Sequence, residues 1–427
     1  MDWNEAIALL HGANWKHTKI GLERMRDFMH ALGDPQEKLR YVHIAGTNGK
    51  GSSCVMTQSI LTAAGFRTGL YISPHLDQFN ERLSIDGQMI SDADLRRLAA
   101  RVRAAAETLG EEPTDFEMIT AMAFCWFEEQ RCDLVVLEVG MGGRLDATNV
   151  ISSPEVCAIM HIGLDHTEFL GDTVEKVAAE KAGILKPGAD CVLYHQLPGV
   201  MEVVQKRFAD MNPDAAAHLV TTDPTAFNAR ARSIDGQVFD YRKRRNLRIQ
   251  LLGNYQMENA MAVLDIIDCL IRRGFSISEN AIRTGLARAV WPGRFELLSR
   301  APLLIVDGAH NPNGVEALVD TIRAYFPDQK INFVMGVMKD KDYHTMLRLI
   351  APYAARFITE LPDAHRALRP EALKSEIREY FDGPVETADS VTAAVQRAME
   401  LAEGTEAITI CFGSLYQVAD IRRFFRK

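Results

Sequence analysis

The residues best suited to chemistry stand together early in the chain, in Gly46-Thr47-Asn48-Gly49-Lys50-Gly51-Ser52. An apolar run, 40–45, leads into them and a helical stretch follows. Glycines let backbone N–H groups turn toward a phosphate, a helix N-terminus adds positive potential, and Lys50 supplies a point charge. The spacing is not a strict Walker A loop, because Ile44 holds the first Gly position and Gly51 separates Lys50 from Ser52. Other reactive types lie downstream. Glu138 closes a run of four apolar residues, Leu134-Val135-Val136-Leu137, and an acid so placed needs a partner. Asp165-His166 follow another such run. Hard oxygen ligands near a phosphate loop suit Mg²⁺, whereas His166 read alone points to a transition metal or to a helix cap. Ser73 read alone starts a turn at Pro74.

The elements that must position these groups are legible from periodicity. Strand-like apolar runs at 41–45, 69–72, 134–139, 156–162, 191–194, 303–306, 331–335 and 408–412 alternate with amphipathic stretches. Two of the helices, 52–64 and 92–109, are closed by Gly65 and Gly110. Near-continuous apolar strands separated by helices indicate parallel sheets covered on both faces. Punctuation at Trp291-Pro292-Gly293-Arg294 divides the chain into 1–293 and 294–427. The expected fold class is therefore α/β: a large N-terminal P-loop-type domain and a smaller, Rossmann-like C-terminal one. Polar and Gly-rich clusters directly follow the strands in both halves, which is where doubly wound sheets bind ligands. A site between the two domains is expected.

Composition narrows the classes. The 427 residues carry a formal net charge of −9, which argues against a general nucleic-acid grip. The basic run Arg242-Lys243-Arg244-Arg245 reads as a solvated hairpin. The seven cysteines are scattered without a Cys-x-x-Cys pair, so neither disulfides nor zinc are expected. No signal peptide or membrane-spanning run is seen, and a cytoplasmic monomer is expected.

The phosphate loop resembles that of the Mur-ligase superfamily, in its folylpolyglutamate synthase form. The resemblance continues in order through Ser73-Pro74-His75-Leu76, Phe79-Asn80-Glu81-Arg82, Glu138-Val139-Gly140-Met141-Gly142-Gly143-Arg144, Leu164-Asp165-His166, Glu180-Lys181-Ala182-Gly183, Pro292-Gly293-Arg294-Phe295 and Asp307-Gly308-Ala309-His310-Asn311-Pro312. It implies Ser73, Glu138 and His166 as ligands of one or two Mg²⁺ ions. It implies Asn259 for adenine, Arg294 for the terminal phosphates and Asp307 for the ribose of ATP. Tyr255 stands where many members carry His. For the pterin side it implies Lys19, Ile20, Gly21 and Leu22, the aromatic Phe116, and Leu145, Asp146 and Ala147. Phe116 reads equally well as a core residue.

The implied activity is ATP-dependent addition of L-glutamate to a folate, with dihydropteroate as a second acceptor, through an acyl phosphate. Lys50 would act on the transferred phosphoryl group and His310 would orient the acyl phosphate, although His310 reads equally as structural. Lys181 falls in the block where related ligases carry a carbamylated lysine. A second Mg²⁺ beside His166 would need more anionic oxygen, and partial burial would supply the neutral amine that carbon dioxide requires. Two alternatives stand beside this reading: a peptidoglycan-precursor ligase of the Mur group, and a P-loop binding module without turnover.

Overall fold

The structure, a computed structural model, describes residues 3–11, 21–214, 217–364 and 366–426. It divides into two compact units. The first comprises residues 1–228, 240–247 and 258–289, and the second 229–239, 248–257 and 290–427. The second unit thus takes in 229–239, 248–257 and 290–293, three short stretches that a single cut after 293 assigns to the first. The break is a pair of chain excursions because residues 227–249 form strands of a separate small sheet.

In the first unit β1 (Tyr41–Ala45), β2 (Thr68–Tyr71), β3 (Leu83–Ile85), β4 (Gln88–Met89), β5 (Leu134–Glu138), β6 (Val156–Ile159), β7 (Asp190–Leu193) and β8 (Leu219–Thr221) form one sheet, in the order β4-β3-β2-β5-β1-β6-β7-β8. The run from β2 to β8 is parallel, with Ile44 beside Glu138 and Tyr71 beside Leu137. The β3–β4 hairpin pairs antiparallel at one edge. Both faces are buried: Tyr41 and Leu137, with Phe124, and Ala45 and Ile159, with Val177, form two apolar clusters on one face, and Val42, Ile44, Val136 and Ala158 line the other. This is why the strands read as unbroken apolar runs.

β9 (Phe227–Ser233), β10 (Gly236–Tyr241) and β11 (Arg244–Ile249) make a three-stranded sheet ordered β11-β10-β9. The basic run lies at its β10–β11 turn, and only Lys243 and Arg245 are solvated as expected; Arg242 and Arg244 are not. Arg244 is 3% exposed and pairs with Asp268 at 2.7 Å and Glu279 at 2.9 Å, while Arg242 pairs with Asp265 at 2.8 Å. Acidic residues twenty-three or more positions away, invisible to a local charge count, neutralise these two arginines.

In the second unit β12 (Glu296–Arg300), β13 (Leu303–Val306), β14 (Ile331–Met335), β15 (Ala354–Thr359), β16 (Val385–Thr387) and β17 (Ile408–Phe412) are ordered β12-β13-β17-β14-β15-β16. All pairs are parallel except β12–β13. Phe333, Met335, Phe357, Ile410 and Phe412 fill one face. Among the described residues no helix is long and apolar enough to cross a membrane. All seven cysteines are buried and unbonded.

Candidate active site

The phosphate loop follows β1 and runs straight into the helix Lys50–Ala63. Gly49, at φ +83°, makes the left-handed step that a residue with a side chain would resist, and no side chain caps the helix. The first-turn amides are therefore left for an anion. The loop is braced from behind: Thr47 N and Asn48 N donate to the His161 carbonyl at 2.8 and 3.2 Å. Thr47 Oγ1 exchanges hydrogen bonds with Gly163. Asn259, from the helix Asn254–Arg272, abuts the loop so closely that a Cβ on Gly49 would fall 2.5 Å from its Oδ1.

Two lysines meet on one carbonyl. Lys50 Nζ donates to Gly46 O at 2.9 Å and to Thr47 O at 3.2 Å, and Lys181 Nζ donates to the same Gly46 O at 3.0 Å. Lys181 ends the helix Val174–Lys181 and is 4% exposed. Burial, and then the charge of Lys50, pushes its pKa down to about 7. A large share of it is therefore the neutral amine near neutral pH.

Glu138 ends β5 beside Ile44, and its Oε2 accepts from Ser73 N at 3.0 Å; it is 5% exposed. Ser73 follows β2, the other neighbour of β5, so the pair forms an oxygen-bearing corner at adjacent strand ends. His166, at φ +49°, begins the short helix Thr167–Leu170, with its imidazole about half exposed and its N–H bonded to Asp165 at 2.9 Å.

The stretch 140–149 after β5 carries the expected pterin-side residues. Phe116 lies on Gly140, where a Cβ would come within 2.4 Å of its ring, and its ring centre stands 6.1 Å from that of Tyr71. Leu145 is half-buried, and Asp146 and Ala147 are buried. Asp146 is turned inward: Oδ2 accepts from Met141 N at 2.9 Å, and Oδ1 from Thr148 N at 3.0 Å and Thr148 Oγ1 at 2.5 Å. Burial raises its pKa against the pull of these bonds. The stretch also interlocks with the Lys181 region. A Cβ on Gly143 would fall 2.8 Å from the Glu180 carbonyl, one on Gly183 would fall 2.5 Å from Arg144 Cα, and Arg144 N donates to Glu180 O at 2.8 Å. Gly21 is half-buried and Leu22 buried before the helix Glu23–Ala31, while Lys19 and Ile20 lie outside the described residues.

In the second unit Asp307 follows β13, 5% exposed. Its Oδ2 accepts from Phe295 N at 2.8 Å and its Oδ1 from Ala309 N at 2.7 Å, which clasps the Arg294–Phe295 turn. Burial raises its pKa, opposed first by the Arg294 charge. His310 holds the Gly308 carbonyl through Nδ1 at 2.8 Å, which leaves its tautomer set by that bond. Sequence reasoning passed over His43, in the middle of β1, whose Nε2 lies 2.9 Å from Thr148 Oγ1. Its signal was an imidazole inside an otherwise apolar run.

The chain matches the Mur ligase middle domain over residues 44–267 and the Mur ligase glutamate ligase domain over 293–415. It is 34% identical to the dihydrofolate synthase/folylpolyglutamate synthase of Bacillus subtilis, over 99% of this chain and 98% of that one. The structure of Mycobacterium tuberculosis folylpolyglutamate synthase complexed with ADP and AMPPCP superposes with a TM-score of 0.87 at 31% identity, covering 100% and 99% of the two chains. A folylpolyglutamate synthase–AMPPCP–folate complex gives 0.85 at 32%, covering 99% of each. On motif order, strand order and full-length similarity alike, the chain belongs to the folylpolyglutamate synthase/dihydrofolate synthase family of Mur-type ligases.

Proposed function

We propose that this chain joins the amino group of L-glutamate to the carboxylate of a folate at the expense of ATP. The observation that carries the reading is the meeting of Lys50 and Lys181 at Gly46 O, in front of an uncapped helix N-terminus. A folate-type acceptor is supported by the relatives' names and by the related complex that holds folate. In the first step a carboxylate oxygen attacks the γ-phosphorus, the bond to ADP breaks, and an acyl phosphate forms. In the second the amine attacks the acyl carbon, sheds a proton and expels phosphate. Lys50 would release two carbonyls to meet the transferred phosphoryl group, and the helix amides would hold its oxygens.

The Ser73–Glu138 corner fits a hard divalent cation, since it offers a hydroxyl and a carboxylate beside the strand that feeds the phosphate loop. Bound magnesium would neutralise phosphate charge there. His166 and a carbamate on Lys181 would complete the donor set. The low pKa of Lys181 supports this, because only a neutral amine adds carbon dioxide. The same reading gives Asn259 to adenine, Arg294 to the terminal phosphates, Asp307 to ribose and His310 to the acyl phosphate. It gives Gly21, Leu22, Phe116 and Leu145-Asp146-Ala147 to the pterin side, and admits dihydropteroate as a second acceptor. Seven buried thiols, none in a disulfide, accord with action in the reducing cytoplasm; the reading takes the chain as a monomer.

The test is ADP release by the purified protein on adding glutamate with tetrahydrofolate, dihydropteroate or a uridine-linked peptide precursor. Release with tetrahydrofolate is expected. Release only with the uridine-linked substrate, or with none, rejects the reading. Lys181→Ala should lose activity that small carboxylates partly restore.

A further inference from the structure

A buried imidazole is an expensive way to fill a core strand. His43 is fully buried in β1, and its strand neighbours there are apolar: Leu137 in β5 and Cys157 in β6. Nδ1 has no hydrogen-bond partner among the described residues, a deficit that valine or leucine would avoid. Such a departure from local sense marks a position kept for something else.

That something is visible at Nε2. Its partner, Thr148, has one hydroxyl proton, and the 2.5 Å contact with Asp146 Oδ1 assigns it. The threonine oxygen must then accept, so His43 donates through Nε2–H across 2.9 Å. Burial and the nearby charge of Lys186 push the imidazole pKa down to about 3, which keeps this tautomer neutral. The chain of bonds continues from Asp146 Oδ2 to Met141 N. One end is thus a strand residue three positions before the phosphate loop, and the other is the backbone just after β5. A second set of ties, Asn149 Nδ2 to Arg144 O at 3.0 Å and to Gly183 O at 3.1 Å, fixes the far side of the same stretch. With both carboxylate oxygens of Asp146 bonded within its own loop, its action is on the shape of 140–149.

We propose that His43, Thr148 and Asp146 form a hydrogen-bonded strut that sets the folate-side loop 140–149 from the strand leading into the phosphate loop. His43 and Thr148 are then positioning residues for the acceptor. The proposal rests on the reading of that loop as the folate side. It separates binding of the acceptor from binding of ATP, because the phosphate loop has its own brace at His161 O.

The experiment is steady-state kinetics of the full chain with tetrahydrofolate, glutamate and ATP, alongside thermal melts. His43→Leu removes both the donor and the orphaned nitrogen, so a residue serving only as core filling would melt no lower and keep its kinetics. The strut instead requires a KM for tetrahydrofolate raised at least tenfold, with the KM for ATP within twofold of wild type. Thr148→Val should do the same, Thr148→Ser should recover to within threefold, and the His43→Leu/Thr148→Val double variant should be no worse than either single one. Should His43→Leu not fold, the Thr148→Val and Thr148→Ser pair decides. Unchanged KM for tetrahydrofolate, an equal rise for ATP, or failure of serine to rescue overturns the strut. Wild-type protein inert toward every folate would overturn the functional reading beneath it.

Discussion

Asp146 and Glu360 are both secluded carboxyl groups just beyond a sheet strand, and their surroundings could hardly differ more. Asp146, after β5 in the first unit, is met by Met141 N, Thr148 N and Thr148 Oγ1. Glu360, directly after β15 in the second, is fully buried, and neither of its oxygens has a hydrogen-bond partner among the described residues. Burial raises both, but hydrogen bonds oppose the shift only at Asp146. At Glu360 the nearby Asp420 adds to it, and the pKa is pushed up to about 8. The lesson concerns what seclusion does to an acid. Surrounded by donors it organises a loop; without them it sits protonated, adding nothing to the fold. Glu360 shares its β-face with Thr409 and Cys411, by strand alternation, and Thr409 Oγ1 is likewise unpartnered.

The first test sharpens the contrast by asking where the chemistry lies. Lys50→Ala, on the well-partnered side, should lower kcat by about a thousandfold with little change in melting temperature, as measured by ADP release and a thermal melt. The next would break the comparison. Asp146→Asn turns an acceptor into a donor against Met141 N, and should lower unfolding free energy by about 3 kcal/mol in urea. If it proves as harmless as a change at Glu360, partnering does not matter.

Glu360→Gln should act in the opposite direction, with a size set by pH. The folded pKa of about 8 exceeds the usual value of 4.5. Between those pH values the unfolded chain binds fewer protons, so wild-type stability falls as pH rises through that window and levels off above it. Glutamine does not titrate. The variant should therefore gain on the order of 4–5 kcal/mol relative to wild type at pH 8.5 and almost nothing at pH 4.5, read from urea midpoints at the two values. The smallest effect is expected at Gly336, where a Cβ would fall 1.9 Å from Glu360 Oε1. Gly336→Ala should cost about 1–2 kcal/mol alone and less when Glu360 is also alanine, a coupling that a double-mutant cycle measures.

Much of this was legible in the chain itself, for a physical reason. Strands covered on both faces leave unbroken apolar runs, and every run read as a strand is one. The loops at their carboxyl ends stand out by contrast, which is how Lys50, Glu138 and Asp307 were singled out, whereas Lys181, at the end of a helix, was singled out by the resemblance. What stayed hidden depends on distant partners. β15 contains Arg356, so its run reads as broken, yet Glu386 in β16 holds that guanidinium. Arg244 looked solvated because Asp268 and Glu279 are remote in sequence. His43 was passed over because its partner Thr148 lies 105 residues further on. The β3–β4 hairpin is too short to show a period.

The interlock of Gly143 with Glu180 and Lys181, and of Gly183 with Arg144, has a consequence for inheritance. Each glycine is the space occupied by the other segment's backbone, so neither segment can acquire a side chain there while its neighbour stays as it is. Lesions at Gly143 and Gly183 should therefore resist reversion by changes nearby in sequence. The suppressors to seek lie across the contact, some forty residues away, and must shift backbone, because shortening Arg144 leaves its Cα 2.5 Å from a Cβ on Gly183. In genetic terms 143–149 and 180–184 form one locus written in two places.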